Sequence, residues 1–383
     1  MSRSAGAAAG YRDGMEGNGR RVVVVGGGVL GTSTAAQLAL RGADVTLVTE
    51  DRPASGASGR SLSWLNSAGS YPPAYHRLRM LGLDRYRTVA AREDRVAAIA
   101  FDGGLRWGEG VRESFEHQRA IGYPAEWLAR EEVAGRVPGV DPAAVAPEGA
   151  LLNPAEGWVD LPSLVDELVH DLVDGGGELR ADAGRCALVV SGGRVTGVRT
   201  RDGSVLGADV VLLATGAAVP GSLAELGVHV PDGTTNALLV RTPPFDHRLR
   251  AVLNTPRVAV RPAPGGGVVL DAGWAEKEVV ARDDGTFEVR DSTVEGLLRE
   301  ASAVLAGNPE LTAGSCGVGR KPIPGDGHPV LGAVPGVDGL HVAFSHSGAT
   351  IGLIAGELLA EEIVTGSPSP LLAAFRPDRF SSD

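Results

Sequence analysis

Lysine is nearly absent from this 383-residue chain: it occurs only at Lys277 and Lys321, so arginine carries almost all the positive charge. Aromatic residues make up 4% of the sequence, cysteine occurs twice, and the formal net charge is −11. Each scarcity excludes something. With no basic run there are no clustered cations to displace counterions from phosphates, which argues against nucleic acid as a partner. Cys186 and Cys316 are too far apart to read as a metal-ligand motif, and so sparse a usage fits a reducing cytoplasm. No segment approaches the ~20 apolar residues that span a bilayer. Residues 1–19, rich in Ala, Gly and Ser without apolar periodicity, read as a flexible tail. Arg20-Arg21 ahead of four valines imitates a twin-arginine export signal, but the run breaks at once into Gly26-Gly27-Gly28 and makes no signal core. A cytoplasmic protein without membrane contact is expected. Hydrophobic residues at 43% against 22% charged supply core for two or three domains.

Glycine, by contrast, is plentiful at 55 residues, and its placement carries the first positive signal. Val22 to Val25 is a short β-branched run suited to a strand buried on both faces. It enters Gly26-x-Gly28-x-x-Gly31, then a helical stretch Thr32 to Arg41 closed by Gly42, then a second strand Val45 to Thr49 that ends on Glu50. In such a unit the first glycine allows the tight turn, the second lets backbone approach a pyrophosphate, and the third lets helix pack on strand. The free N–H groups of the helix start, including those of Val29 and Leu30, would meet the phosphates. Glu50 stands where an acid accepts hydrogen bonds from adenosine ribose hydroxyls and would repel a 2′-phosphate. The pattern specifies a dinucleotide without deciding between FAD and NAD.

Three further segments bear on that choice. Ser55-Gly56-Ala57-Ser58-Gly59-Arg60-Ser61 is a Gly/Ser loop able to run along a dinucleotide. Residues 183–219 hold Cys186, paired strands Leu188 to Ser191 and Arg194 to Arg199, and an apolar strand Val210 to Leu213 ending in Ala214-Thr215-Gly216-Ala217. Near the end come Gly319-Arg320-Lys321-Pro322-x-Pro324-x-Asp326-Gly327-x-Pro329 and Gly339 to Gly348. These motifs, in this order, resemble the flavin-binding segments of the D-amino-acid oxidase, glycine oxidase and sarcosine oxidase family.

The resemblance implies an α/β fold: a Rossmann-type FAD-binding domain interleaved with a β-rich substrate domain of mixed antiparallel sheet and helices. The FAD domain would gather residues 20–70, 150–225 and 315–372. The substrate domain would gather 71–149 and 226–314, leaving 373–383 as a tail. It also implies FAD, and oxidation of a C–N bond in a small amine or amino acid by hydride transfer to flavin N5, giving an imine that water hydrolyses. Expected FAD contacts are Gly26, Gly28, Val29, Leu30, Gly31, Glu50, Ser58, Gly59, Arg60, Ser61, Cys186, Thr215, Gly216, Arg320, Gly348, Ala349, Thr350 and Ile351. Thr350 to Thr365 reads as a helix whose start, near Ser347-Gly348-Ala349, would favour the anionic edge of reduced flavin.

For the substrate, Arg261 is a carboxylate-gripping candidate at the end of a β-run. His346 is a second, and also a catalytic candidate, where glycine-oxidase-like members carry an arginine. Lys321 is a catalytic candidate facing the flavin pyrimidine, and Trp64 a pocket wall. His328 and His341 read as structural. Sarcosine oxidases attach FAD through a cysteine near the position of Gly319; Cys316 lies earlier, so non-covalent FAD is expected. Their oxygen-activating lysine is replaced by Val269, which leaves oxygen or another electron acceptor open. A hydroxy-acid dehydrogenase of the same fold and a flavin-binding subunit of a larger complex are the alternatives.

Overall fold

The computed structural model describes residues 19–95 and 98–381. The tail expected over 1–19 lies outside the described residues except for Gly19. The valine run forms β1 (Arg21–Val25), followed by α1 (Val29–Leu40) and β2 (Asp44–Val48). Gly28 starts α1 earlier than the apolar pattern announces, and Gly42 ends it with a left-handed φ of +76°.

β1 is central in a six-stranded sheet with the order Val330–Ala333, Leu340–Phe344, Val210–Leu213, β1, β2, Glu178–Arg180. All neighbours are parallel except the Val330–Ala333 edge. Burial on both faces explains why these strands read as continuous apolar runs. Three long helices join α1 around this layer: α2 (Pro73–Ala90), α3 (Leu161–Asp174) and α4 (Gly348–Thr365). α4 packs against α1 so closely that a Cβ at Gly356 would fall 2.2 Å from Ser33 Oγ.

A second sheet has eight strands: Ser315–Lys321, Thr235–Arg241, Val268–Asp271, Ala259–Pro262, Val252–Asn254, Gly104–Arg106, Ala150–Asn153 and Glu126–Leu128. Side chains alternate along a strand, so each contributes to two faces. Leu105, Leu238, Val240, Val260 and Leu270 enter one core. Gly104, Arg106, Arg261, Asp271, Gly317, Gly319 and Lys321 occupy the opposite face. That face looks onto the nucleotide-binding layer: Arg261 Nε donates to the Leu62 carbonyl, and the Arg60 side chain crosses Gly317 and Gly319.

Several segments fall elsewhere than the sequence suggests. Ala150–Asn153 and Ser315–Lys321, expected with the FAD domain, pair within the eight-stranded sheet. α2, expected with the substrate domain, buries Tyr75, Leu78, Leu83 and Tyr86 in the core shared by α1 and α4. Residues 373–381 are packed down: Phe375 is 1% exposed and Arg376 forms an ion pair with buried Glu362. Strand pairing and packing across long sequence distances decide these placements. Among the described residues, no helix is long and apolar enough to cross a membrane.

Candidate active site

The glycines of the first turn are there by necessity. Gly26 has φ +120°, and a Cβ on it would sit 2.3 Å from the Ala214 carbonyl oxygen. A Cβ on Gly31 would lie 1.9 Å from the Gly26 oxygen. Gly28 is different: an added Cβ would meet only Ser58 Oγ, at 3.3 Å. So Gly26 and Gly31 serve the helix–strand junction, while Gly28 keeps open the approach to the start of α1. No side chain caps that helix through Gly28, and Ser58 Oγ accepts from Val29 N–H at 3.0 Å. The Gly/Ser loop is thereby held against the helix start, with Gly59 pressed on Ala54 and Ser61 bonded to Ser63.

The chain ends of the neighbouring strands complete this groove. Thr215 Oγ1 is buried without a partner, beside the Gly26 turn and ahead of Gly216 at φ +59°. Glu50 is exposed at the end of β2 and close enough to Cys186 that, after burial, its charge helps push that thiol's pKa up. α4 begins beside α1, with a Gly348 Cβ placed 3.4 Å from Val29 Cγ1. Two helix starts without a bond from their own N-cap side chains thus lie together at the carboxyl ends of parallel strands, where open α/β sheets take their ligands, although the Val29 N–H, expected free, is taken by Ser58 Oγ. An elongated dianionic dinucleotide fits: Glu50 for its ribose, α1 for its pyrophosphate, Thr215 for an unmet hydroxyl bond, and Gly348, Ala349 and Thr350 for its far end. Val29 and Leu30 have core side chains, so only their backbone faces the groove.

Not every expected contact is presented. Ile351 is fully buried in the core and its N–H is bonded to the Ser347 carbonyl within α4. Arg320 is exposed, and alternation along its strand turns it away from the face that holds Gly319 and Lys321. The same alternation turns Cys316 away from Gly317 and Gly319.

Above the start of α4 lies a polar cluster. His346 has exposed surface, yet protein crowds its ring. Loss of water around it, then the charges of Lys321 and Arg79, bring its pKa down to about 4, so the ring is neutral. Lys321 pairs with Glu276 at 2.5 Å, and Asp271, raised by burial to about 7, faces them both. Arg79, 3% exposed, was missed in the sequence because arginines are abundant here. It donates to Ser347 Oγ and to the Asn66 carbonyl, and stacks 4.4 Å from the Tyr71 ring centre. Among the described residues no carboxylate pairs with it, which leaves a buried cation at the start of α4. Trp64 accepts from Thr350 Oγ1 through its carbonyl at 3.3 Å and so stands next to the same helix end.

Arg261 is not brought into this cluster. Its side chain has no exposed surface; it donates to Leu62, Pro262 and Asp160, lies over Trp158, and burial lowers its pKa to about 10. It ties the large sheet to Asp160, which also caps α3. A guanidinium so engaged offers nothing to a ligand. His341 lies in a strand, with its pKa brought down to about 4 by burial, and His328 lies in a bend.

The sequence profile of the family described as "FAD dependent oxidoreductase" matches residues 21–362. The chain belongs to that family. Glycine oxidase of Pseudomonas aeruginosa is 28% identical over 367 residues, covering 89% of this chain and 94% of that protein. A D-amino acid dehydrogenase of Cereibacter sphaeroides is 26% identical over 394 residues, covering 85% and 87%. Among solved structures, glycine oxidase from Geobacillus kaustophilus superposes with a TM-score of 0.79 at 22% identity, over 95% of this chain and 100% of that one. The fold is therefore that of the FAD-dependent oxidoreductases, and the groove between α1 and α4 is where this chain's own glycines, Glu50 and Thr215 would hold FAD. With Cys316 turned away from Gly319, the cofactor is bound without a covalent link.

Proposed function

We propose that this flavoenzyme oxidises the C–N bond of a small amine or amino acid to an imine, which water then hydrolyses. The flavin, when bound, supplies the acceptor for the hydride leaving the carbon next to nitrogen. The chain supplies position. Lys321 and Arg79 draw an anionic substrate end toward the start of α4, and neutral His346 offers a hydrogen bond without competing for that anion. Trp64 and Tyr71 wall the site and exclude water. Asp271, with its pKa near neutrality, is placed to hold the proton that an ammonium must lose before its lone pair is free. One observation carries the reading: a buried arginine without a carboxylate partner, a lysine and a neutral histidine meet at a helix start beside the dinucleotide groove.

Similarity to an oxidase and to a dehydrogenase leaves two acceptors, oxygen or another electron carrier. Val269, fully buried in the large sheet, offers no cation for activating oxygen and favours the second. The test is anaerobic bleaching of the flavin absorbance by a panel of amino acids and secondary amines. Bleaching by at least one is expected. Bleaching by hydroxy acids alone would overturn the assignment. Oxygen uptake compared with dye reduction then identifies the acceptor. After acid precipitation the flavin should stay in the supernatant, in the wild type and in Cys316→Ser alike; colour in the wild-type pellet would overturn non-covalent binding.

A further inference from the structure

A second polar cluster lies farther along the same face of the large sheet. Arg106, Asn254, Ala259 and Asp271 stand opposite one another on four adjacent strands. Three strand spacings separate the backbones of Arg106 and Asp271 by about 14 Å. Charges acting on His346 come from Lys321 and Arg79, whereas those acting on Arg106 come from Glu156, Tyr123 and Tyr71. Tyr71 and Glu156 each feel both arginines, and Tyr123 feels Arg79 too, so the two clusters adjoin through these residues.

The Arg106 cluster is unsatisfied. Arg106 Nε and Nη2 are buried without a hydrogen-bond partner, while Trp64 Nε1 and Glu156 Oε2 face each other out of line for a good bond, the indole still helping to hold the Glu156 carboxyl down. Trp64 Nε1 and Glu156 Oε2 meet over Gly104, where a Cβ would fall 3.1 and 2.4 Å from them. The guanidinium carbon lies 6.0 Å from the Trp64 ring centre. Buried donors left unmet are costly, so their convergence marks a place where something else bonds. Glu156 is the main group favouring the charged form of Arg106, yet it makes no direct hydrogen bond with Arg106 Nε or Nη2. It is fully buried, its Oε1 accepts from Tyr123 O–H at 2.7 Å, and burial raises its pKa to about 8, so it holds a proton at neutral pH. What remains is a cation with two free donors, an indole N–H and a carboxyl group. That set suits a carboxylate.

We propose that Arg106 and Trp64 form a distal subsite for an anionic group, so that the preferred substrate is an amine or amino acid carrying a carboxylate several bonds from the reacting C–N bond. The inference rests on the amine-oxidation reading only for the reacting end. Gly104 makes room for this subsite, and Tyr71 lines the path to it.

The experiment compares FAD-loaded wild type with Arg106→Met and Arg106→Lys. Substrates are D- and L-glutamate against alanine and N-methylglycine, and glutarate is the non-reacting probe. Arg106→Met should lower kcat/KM for the acidic substrate by at least about 30-fold. Alanine and N-methylglycine should change by less than about three-fold, and Arg106→Lys should recover part of the loss. Glutarate should raise the melting temperature of the wild type and not of Arg106→Met. An equal loss for acidic and neutral substrates, or glutarate protection independent of Arg106, would overturn the subsite. If no amine bleaches the wild-type flavin while glutarate binds through Arg106, the amine-oxidation reading fails and the subsite stands. Amine bleaching indifferent to Arg106 removes the subsite and leaves the reaction.

Discussion

Gly28→Ala and Gly31→Ala place the same methyl group on two glycines of one turn, and the structure requires opposite outcomes. At position 31 the new carbon would sit 1.9 Å from the Gly26 carbonyl oxygen. An ordinary contact there is about 3.4 Å, so α1 would have to retreat by more than an ångström. It has nowhere to go, because its outer side is closed by α4, where Gly352 and Gly356 already admit Val29 and Ser33 at minimum separation. Overpacking of this kind costs about 1–3 kcal/mol. For a chain of this length that is a fall in melting temperature of about 1–4 °C in the FAD-free protein. At position 28 the only neighbour is Ser58 Oγ at 3.3 Å, so the FAD-free protein should melt within about 1 °C of the wild type. The Gly28 methyl group instead stands where pyrophosphate approaches. FAD affinity, read by quenching of flavin fluorescence on titration, should fall at least about ten-fold. Equal melting temperatures for Gly31→Ala and wild type, or unimpaired FAD binding by Gly28→Ala, would refute the division of roles between these glycines.

Further outcomes follow from buried charge and packing. His346 has a folded pKa of about 4, below its ordinary value of 6.5, so it stays neutral across pH 5–8 and stability that depends on it is lost as pH falls from about 6.5 toward 4. The KM for the best substrate should therefore show no His346-dependent inflection between pH 5 and 8; an inflection near 6.5 that vanishes in His346→Gln would refute a neutral ring. Glu156 is shifted the other way, so its burial destabilises the fold increasingly as pH rises from about 4.5 to about 8. Glu156→Gln should flatten that decline in melting temperature, and an unchanged slope would refute a protonated Glu156. Phe375→Ala should destabilise by about 3–5 kcal/mol, measured by chemical denaturation, because the ring is buried against Tyr75. A change below about 1 kcal/mol would show the end of the chain to be a loose tail.

The nucleotide-binding half was legible because its signals are local. Strand, glycine turn, helix and terminal Glu50 lie within about thirty residues, and each glycine answers a steric demand that sequence spacing reports. The β-branched runs and the helix at 350–365 were readable for the same reason. The substrate half is assembled by pairings across long sequence distances, and these leave no periodic trace. Nothing near Ser315–Lys321 announces that it pairs with Thr235–Arg241, yet that pairing turns Lys321 inward and Arg320 outward. Arg261 and Arg79 are the same residue type in an arginine-rich chain. Only packing made the first a fully bonded tie between layers and left the second a buried cation without a carboxylate partner beside α4. Glu156 and Arg106 carry no motif at all. Their chemistry arises because one sheet face closes over them and removes the water that would otherwise satisfy every donor. The sequence by itself determined that a dinucleotide binds, through spacing along one βαβ unit, and pointed to FAD through the order of its later motifs; the tertiary structure decided which charges lose their solvent.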